Sequence, residues 1–154
     1  MRYLVLVVLV LAGCSTPYQD KGFTGGVSAE QITTDTFRIS GRGNSFTSST
    51  RIQDYVMLKA AETTVQQGGT HFLIIEKTDA SRTSQYVTGG NAYTTYSGNT
   101  ATTNYNPPVV QSYFKPGEDA YIRVIKVNAG ENPPAGANSA AEIIQFVGSR
   151  VKGQ

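Results

Sequence analysis

The feature that most limits how this chain can fold is its start, where a short apolar run ends at the only cysteine. Residues 3–11 are apolar, and Leu11-Ala12-Gly13-Cys14 ends the run. A membrane-spanning helix needs about 20 apolar residues, and this run has roughly half that length. A single cysteine also excludes an intramolecular disulfide. The remainder of the chain must therefore fold around an apolar core of its own, without a disulfide framework.

The same start is typical of a bacterial lipoprotein signal peptide. Arg2 supplies the positive charge, the apolar run follows it, and Ala12-Gly13 forms the small-residue cleavage zone. We expect residues 1–13 to be removed and the Cys14 thiol to receive diacylglycerol, so that acyl chains such as palmitate anchor the protein. Two acyl chains are enough for stable anchoring. The alternative is an ordinary cleaved signal that precedes an incidental cysteine.

The residue after the cysteine and the overall charge narrow the location and the partners. Ser15 is not the aspartate that resembles an inner-membrane retention signal, which predicts the bacterial outer membrane, with the domain facing the periplasm. The formal net charge is +2 and falls by one when Arg2 is removed. Such a balance argues against binding of nucleic acid or anionic lipid through bulk charge.

Turn-forming residues divide the expected mature chain. Residues 14–34 contain Pro17 and the Gly25-Gly26 pair and lack apolar periodicity, which predicts the acylated cysteine followed by a tether. Fully extended, this tether would reach about 65–70 Å. Residues 35–154 are then one small domain.

Periodicity predicts strands at residues 36–40, 71–75 and 121–127. In the first of these strands, Phe37 and Ile39 would face the core. The order strand, helix, strand over residues 36–75 favours a parallel pair joined by a right-handed crossover, with residues 71–75 as a buried central strand. These elements together predict an α/β (α+β) domain, with a sheet of about three strands and helices on one face.

Two helices complete this prediction, one long and one short at the C-terminus. Thr50 and Gln53 match a capping box, with Asp54 in the first turn, and Gly68-Gly69 would end the long helix. Residues 140–147 predict the short helix, which we expect to end at Gly148. Its apolar residues Ile143, Phe146 and Val147 would pack against the sheet.

Residues 83–114 contain no Asp, Glu, Lys or Arg and are rich in Thr, Asn, Ser and Gly. This composition predicts a mobile, low-complexity loop between the second and third strands. Tyrosine faces beside amide and hydroxyl groups are also suited to stacking on sugars, which makes Tyr93, Tyr96 and Tyr105 candidate contacts for a ligand or partner. A merely variable insertion has the same composition.

The remaining polar motifs carry little catalytic signal. Gly41-Arg42-Gly43-Asn44 lacks the third glycine of a dinucleotide-binding loop, so Arg42, Gly43 and Asn44 are interpreted as a structural turn in which Asn44 bonds backbone amides ahead of the helix. The alternative is that Arg42 helps to bind an anion at the N-terminus of that helix. His71 is the only histidine and no G-x-S-x-G motif is present.

A metal set, a cofactor motif and a convincing acid pair are also missing from the sequence. One histidine and an acylated cysteine do not make a zinc site. The carboxylates flanking the second and third strands are more typical of solvated charges than of an acid and base pair; they are Glu76, Asp79, Glu118 and Asp119.

Across residues 10–77 the chain resembles an uncharacterised family of short bacterial outer-membrane lipoproteins. The residues that carry the resemblance are Gly22-Phe23-Thr24-Gly25-Gly26-Val27, Thr36-Phe37-Arg38-Ile39, Arg42-Gly43-Asn44 and Leu58-Lys59-Ala60-Ala61-Glu62. The chain departs from the pattern at Val27, where an aromatic residue is expected, and at Gly41, where a bulkier one is. The resemblance implies a lipoprotein with a small α/β domain and no catalytic residue to transfer.

Taken together, the sequence favours a membrane-anchored envelope lipoprotein that is not an enzyme and acts as a structural or interaction module. It would bind the membrane through the lipid anchor on Cys14, and its other partners would be envelope proteins or peptidoglycan. The alternative is glycan or peptidoglycan binding through the tyrosine-rich segment.

Overall fold

The computed structural model describes residues 14–153, so the predicted signal peptide lies outside the described residues. This part of the chain is α+β, as predicted. The helices are α1 (Ser49–Gln66) and α2 (Ala140–Lys152). The strands are β1 (Gly26–Gln31), β2 (Thr36–Arg42), β3 (His71–Asp79), β4 (Arg82–Thr88), β5 (Asn91–Ser97), β6 (Thr100–Asn106), β7 (Val109–Lys115), β8 (Gly117–Ile125) and β9 (Asn138–Ser139).

The described chain divides into two compact units. Residues 83–114 form one, which we call the Tyr-rich unit, and residues 14–82 with 115–153 form the other, which we call the core domain. The core domain holds a five-stranded sheet in the order β1-β2-β8-β3-β9, and the Tyr-rich unit is built on the two-stranded ladders β4-β7 and β5-β6. The prediction of about three strands was therefore wrong.

The main sheet is antiparallel at each of its pairings. β2 and β3, which α1 connects in sequence, do run in the same direction. However, β8 lies between them and is hydrogen-bonded to both. The predicted parallel pair was wrong because β8, which is remote in sequence, occupies the position between the two strands. β8 is consequently the central strand, not β3.

One face of this sheet packs against α1 and forms the core. Phe37 and Ile39 are buried, as predicted, and pair with Ile122 and Ala120 of β8. From α1, Tyr55 and other side chains on the same face complete the cluster; the others are Ile52, Val56, Leu58, Ala60 and Ala61. The helix lies across β1, β2, β3 and β8, so its apolar stripe covers most of the sheet width.

The long helix begins two residues earlier than its capping box predicted. Ser48 is the N-cap, because its side chain accepts a hydrogen bond from the Arg51 amide at 3.2 Å. This places Asp54 beyond the first turn, where it pairs with Arg150 of α2. The predicted end was correct, since Gly68 has a φ of +74° just after the C-cap.

The C-terminal helix is longer than predicted and packs on α1. It continues through Gly148, which is buried with Leu58 close to the position a Cβ would take. Ile143 and Val147 pack against the core cluster, whereas Phe146 is 65% exposed. The prediction that Phe146 packs inward was therefore wrong.

The predicted tether over residues 14–34 was also wrong. Residues 26–31 form β1, which pairs with residues 37–42 of β2. Thr16 is completely buried, and the Val27 amide donates to the Gln19 carbonyl at 2.9 Å. The segment lacks apolar periodicity because hydrogen bonds, and not an apolar stripe, hold most of it to the domain.

In the Tyr-rich unit, the predicted loop is instead largely β-structure. β5 and β6 pair residue by residue from Asn91↔Asn106 to Ser97↔Thr100, and Gly98 turns the hairpin with a φ of +59°. Every residue of β5 and β6 is exposed. Thr and Tyr suit strands irrespective of burial, so low complexity did not prevent pairing here.

Candidate functional site

Cys14 lies exposed at the surface of the core domain, and its backbone is held by a side chain from the turn after β2. The Asn44 amide Nδ2 donates to the Cys14 carbonyl oxygen at 2.9 Å. The predicted attachment point is therefore fixed against the fold, not carried on a long flexible segment.

Thr16 is the centre of this attachment. Its amide donates to Thr47 Oγ1 at 2.9 Å, and its hydroxyl donates to the Thr24 carbonyl and accepts from the Asn44 amide, both at 3.0 Å. Its carbonyl accepts from the Tyr55 hydroxyl at 2.8 Å. We call Thr16, Thr24, Asn44, Thr47 and Tyr55 the anchor clamp. All the polar groups of the buried Thr16 are thereby satisfied.

Asn44 also organises its own turn. Its Oδ1 accepts from the Phe46 amide at 3.0 Å and from the Thr47 hydroxyl at 2.9 Å. Asn44 thus bonds a backbone amide ahead of α1, as the structural-turn hypothesis expects. The same side chain holds Cys14, which links the turn to the predicted lipid attachment point.

Close packing explains the two glycines around this turn. A Cβ on Gly43 would come within 2.9 Å of both Pro116 and Thr47, and the Gly43 amide donates to the Pro116 carbonyl at 2.8 Å. A Cβ on Gly41 would come within 2.6 Å of Val56. The bulkier residue that the family resemblance leads one to expect at position 41 would therefore not fit here unless the Val56 and Ile52 side chains of α1 moved.

Arg42 supports the sheet beneath the turn. Its guanidinium donates to both carboxylate oxygens of Asp119, at 2.8 and 2.9 Å, and to the carbonyls of Gly41 and Glu118. These bonds from Arg42, helped by Ser40, lower the pKa of Asp119 below its ordinary value. Arg42 is thus engaged by acceptors of the protein itself.

A second contact holds the N-terminal segment to both helices. The Tyr18 hydroxyl donates to Glu62 of α1 at 2.6 Å, and Lys152 of α2 donates to the other oxygen of that carboxylate at 2.9 Å. The Tyr18 ring packs edge-on to Tyr55, with centroids 5.4 Å apart. Burial, and then the Glu62 carboxylate, raise the pKa of Tyr18, so its hydroxyl remains the donor.

In the Tyr-rich unit, the structure separates the three tyrosines that the sequence grouped. Directly paired residues of an antiparallel ladder share a face, and alternate residues change face. Tyr96 pairs with Ala101 and Tyr105 with Ala92, so these two rings lie on one face, whereas Tyr93 lies on the other, opposite Asn104.

The face with two tyrosines is a regular strip. Between Tyr96 and Tyr105 lies the pair Thr94↔Thr103, whose hydroxyls are 2.9 Å apart. The register separates the two tyrosines by four positions, about 14 Å at the rise of a strand. The strip therefore presents two exposed aromatic rings on either side of paired hydroxyls, without a charge.

The carboxylates and the histidine form no reactive cluster among residues 14–153. Glu118 faces α1 and pairs with Lys77 at 2.8 Å, whereas Asp119 faces the other side of the sheet and pairs with Arg42. His71 Nδ1 lies 2.9 Å from the Thr70 hydroxyl. No group of three or more His, Cys, Asp or Glu side chains in this part of the chain has a metal-binding arrangement.

Comparisons with protein-family models, with curated proteins and with solved structures gave no match for this chain. Within the residues described, neither helix has both the length and the apolar character needed to cross a bilayer.

Sequence reasoning found Asn44 but missed Thr16, Tyr18 and Glu62. Thr16 and Tyr18 fall in the segment interpreted as a tether, and a buried threonine there leaves no periodic signal. Tyr18 gave one usable hint, because a large aromatic residue is uncommon in a flexible polar linker.

Proposed function

We propose that this chain is a lipid-anchored protein of the bacterial outer membrane that acts as a non-enzymatic interaction module facing the periplasm. The lipobox-like Leu11-Ala12-Gly13-Cys14 motif and the family resemblance motivate the anchor. The observation that carries the proposal is the exposed position of Cys14 at the edge of a folded domain, with its carbonyl held by Asn44. Lipid on this residue would fix the domain at the membrane surface.

The anchor is tested by acylation and by membrane fractionation of the full chain in a Gram-negative host. We expect the mature protein to carry the mass of a diacylglyceryl cysteine and to fractionate with the outer membrane. Cys14→Ser should lose both properties. Release of wild-type protein into the soluble periplasm, without added mass on Cys14, would contradict the proposal.

The matched variant Ser15→Asp tests the sorting step alone. We expect it to be acylated like the wild type and to shift toward the inner membrane fraction, because an acidic residue after the cysteine resembles a retention signal. An unchanged distribution would mean that position 15 does not determine the address.

A second candidate function is glycan or peptidoglycan binding through the Tyr-rich unit. The strip of Tyr96, Tyr105 and the Thr94↔Thr103 pair favours it, because aromatic faces stack on sugar rings and hydroxyls bond to them without net charge. Residues 83–114 carry no charged side chain. The strip therefore has no carboxylate of its own that would repel an acidic glycan.

Binding to isolated sacculi tests this second function with a matched set of variants. Tyr96→Ala and Tyr105→Ala should each weaken co-sedimentation severalfold, whereas Tyr93→Ala, on the other face, should have little effect. Equal losses for all three substitutions would contradict recognition by one face. Retention that survives removal of residues 83–114 would exclude the Tyr-rich unit as the binding element.

A further inference from the structure

A cavity of about 400 Å³ lies at the surface of the core domain, against the turn whose Asn44 bonds Cys14. The turn that contains Phe23 lines one side of it, and the turn that contains Asn44 lines another. Asn44 is also the residue that bonds the Cys14 carbonyl. The cavity and the proposed lipid attachment point are therefore joined by a single side chain.

The wall of this cavity is positively charged, although the chain is nearly neutral. Its charged side chains are Lys21, Arg42, Arg82 and Lys115, and no carboxylate is among the described residues that line it. Arg42 is bound to Asp119, whereas the side chains of Lys21 and Arg82 belong to exposed residues. Asp119 offsets Arg42 and also interacts with Lys21, but a local excess of positive charge remains, which the overall balance conceals.

Two exposed phenylalanines belong to the two turns that line the cavity, and Phe23 is itself part of the lining. Phe23 is fully exposed at the tip of a tight turn, in which the Gly22 amide donates to the Gly25 carbonyl at 2.9 Å. Phe46 is 71% exposed in the turn organised by Asn44. Exposed aromatic rings next to Lys and Arg are the composition of a surface that rests in a membrane interface.

The anchor clamp limits how far this surface can move from a lipid on Cys14. Thr16 is buried in the domain, so only Ser15 lies between it and Cys14. Two residues span about 7 Å when extended. The headgroup layer of one leaflet is about 5–8 Å thick, so lipid on Cys14 would hold the surface at the depth of the headgroups.

We infer that this surface, the docking face (Lys21, Phe23, Phe46 and Arg82), rests on the bilayer in which Cys14 is anchored. The phenylalanine rings lie at the boundary with the acyl chains, and the cations contact lipid phosphates. The inference rests on the proposed anchoring of Cys14 and adds a fixed orientation to it. The docking face is thus a second membrane contact of the domain, in addition to the lipid on Cys14.

Tryptophan fluorescence tests the orientation directly, because the chain contains no tryptophan. Full-length acylated Phe23→Trp and Phe46→Trp proteins are reconstituted into vesicles of phosphatidylethanolamine and phosphatidylglycerol with dibrominated acyl chains. Bromine quenches tryptophan only at short range. The matched control is Ile32→Trp, at an exposed apolar position in the turn between β1 and β2. This position lies about 20 Å along β1 from Gly26, the end of the strand nearer to Cys14 in sequence.

We expect the tryptophans at positions 23 and 46 to be quenched at least about twofold more than the one at position 32. Equal quenching at positions 23 and 32 in protein whose mass confirms the lipid on Cys14 would overturn the docking face and leave the anchor intact. Loss of the lipid itself, seen as missing mass and missing co-sedimentation, would instead overturn the proposed function and the docking face with it.

Charge reversal tests the contribution of the cations. Lys21→Glu in the Phe23→Trp background should reduce quenching and weaken its dependence on salt, because Arg82 remains, whereas Lys126→Glu, just beyond the opposite end of β8, should do neither. The two variants change the net charge equally. The same reduction in both would show that bulk charge, and not this face, controls the approach to the membrane, and would overturn the role of the cations.

Discussion

The core domain and the Tyr-rich unit are each stabilised by different interactions. Among residues 14–153, every buried apolar side chain of the core cluster belongs to the core domain. In the Tyr-rich unit no described residue is buried, and the strands are joined by backbone pairing and by polar side chains such as Thr94 and Thr103. A polar, uncharged segment can therefore take regular β-structure while its side chains remain available for contact.

This difference has an energetic consequence. Burial of apolar surface provides most of the stability of a small domain, whereas an isolated two-stranded hairpin is marginally stable in water. We therefore expect the stability of the core domain to be insensitive to most substitutions in residues 83–114.

The largest expected effect is the loss of a core aromatic ring. Phe72→Ala removes a completely buried side chain from β3 and should lower the free energy of unfolding by about 3–5 kcal/mol. Tyr96→Ala in the Tyr-rich unit should change it by less than about 0.5 kcal/mol. Urea unfolding of both variants measures the difference, and comparable losses would contradict the separation of the two regions.

A pair of threonine substitutions tests the anchor clamp with identical chemistry in each region. Thr16→Val keeps the shape but leaves the Asn44 amide without its acceptor, which should cost about 1–3 kcal/mol. Thr94→Val removes an exposed hydroxyl pair and should cost less than about 0.5 kcal/mol. A negligible effect of Thr16→Val in the same unfolding assay would restore the tether interpretation of residues 14–20.

The pH dependence of stability should arise from the core domain, because residues 83–114 contain no carboxylate. Arg42 lowers the pKa of Asp119 in the folded state, so this pair stabilises the protein above the unfolded carboxyl pKa of about 4. The contribution is lost as the pH falls through the lower, folded pKa.

The corresponding variant is Asp119→Asn. It should lower stability at neutral pH by about 0.5–1 kcal/mol and flatten the fall in stability below about pH 4. Tyr96→Ala should keep the wild-type pH profile. An unchanged acid limb in Asp119→Asn would show that other carboxylates control acid unfolding.

Particular residues show what the sequence could and could not predict. Phe37, Ile39 and Gly68 were placed correctly because alternation and helix termination are local signals. The position of β8 between β2 and β3 depends on pairing between distant segments, which periodicity does not encode. The same reason hid the anchor clamp, since Thr16 meets Asn44, Thr47 and Tyr55 only in the folded chain.

For the candidate contacts, residue type was predictable and geometry was not. The sequence identified Tyr93, Tyr96 and Tyr105, but only the register of β5 with β6 separates Tyr93 from the other two. A segment with few aliphatic residues gave no apolar alternation from which the faces could be assigned.

Hydrogen exchange on the chain from Cys14 onward tests the central claim most directly, namely that the segment after Cys14 belongs to the core whereas the Tyr-rich unit is an exposed ladder. We predict that the amides of Thr16, Lys21 and Val27, which donate to Thr47, Val27 and Gln19, exchange slowly together with those of β2 and β8. The amides of β5 and β6 should exchange much faster. Rapid exchange of the Thr16 and Val27 amides, at the rate of an unstructured tail, would contradict the account.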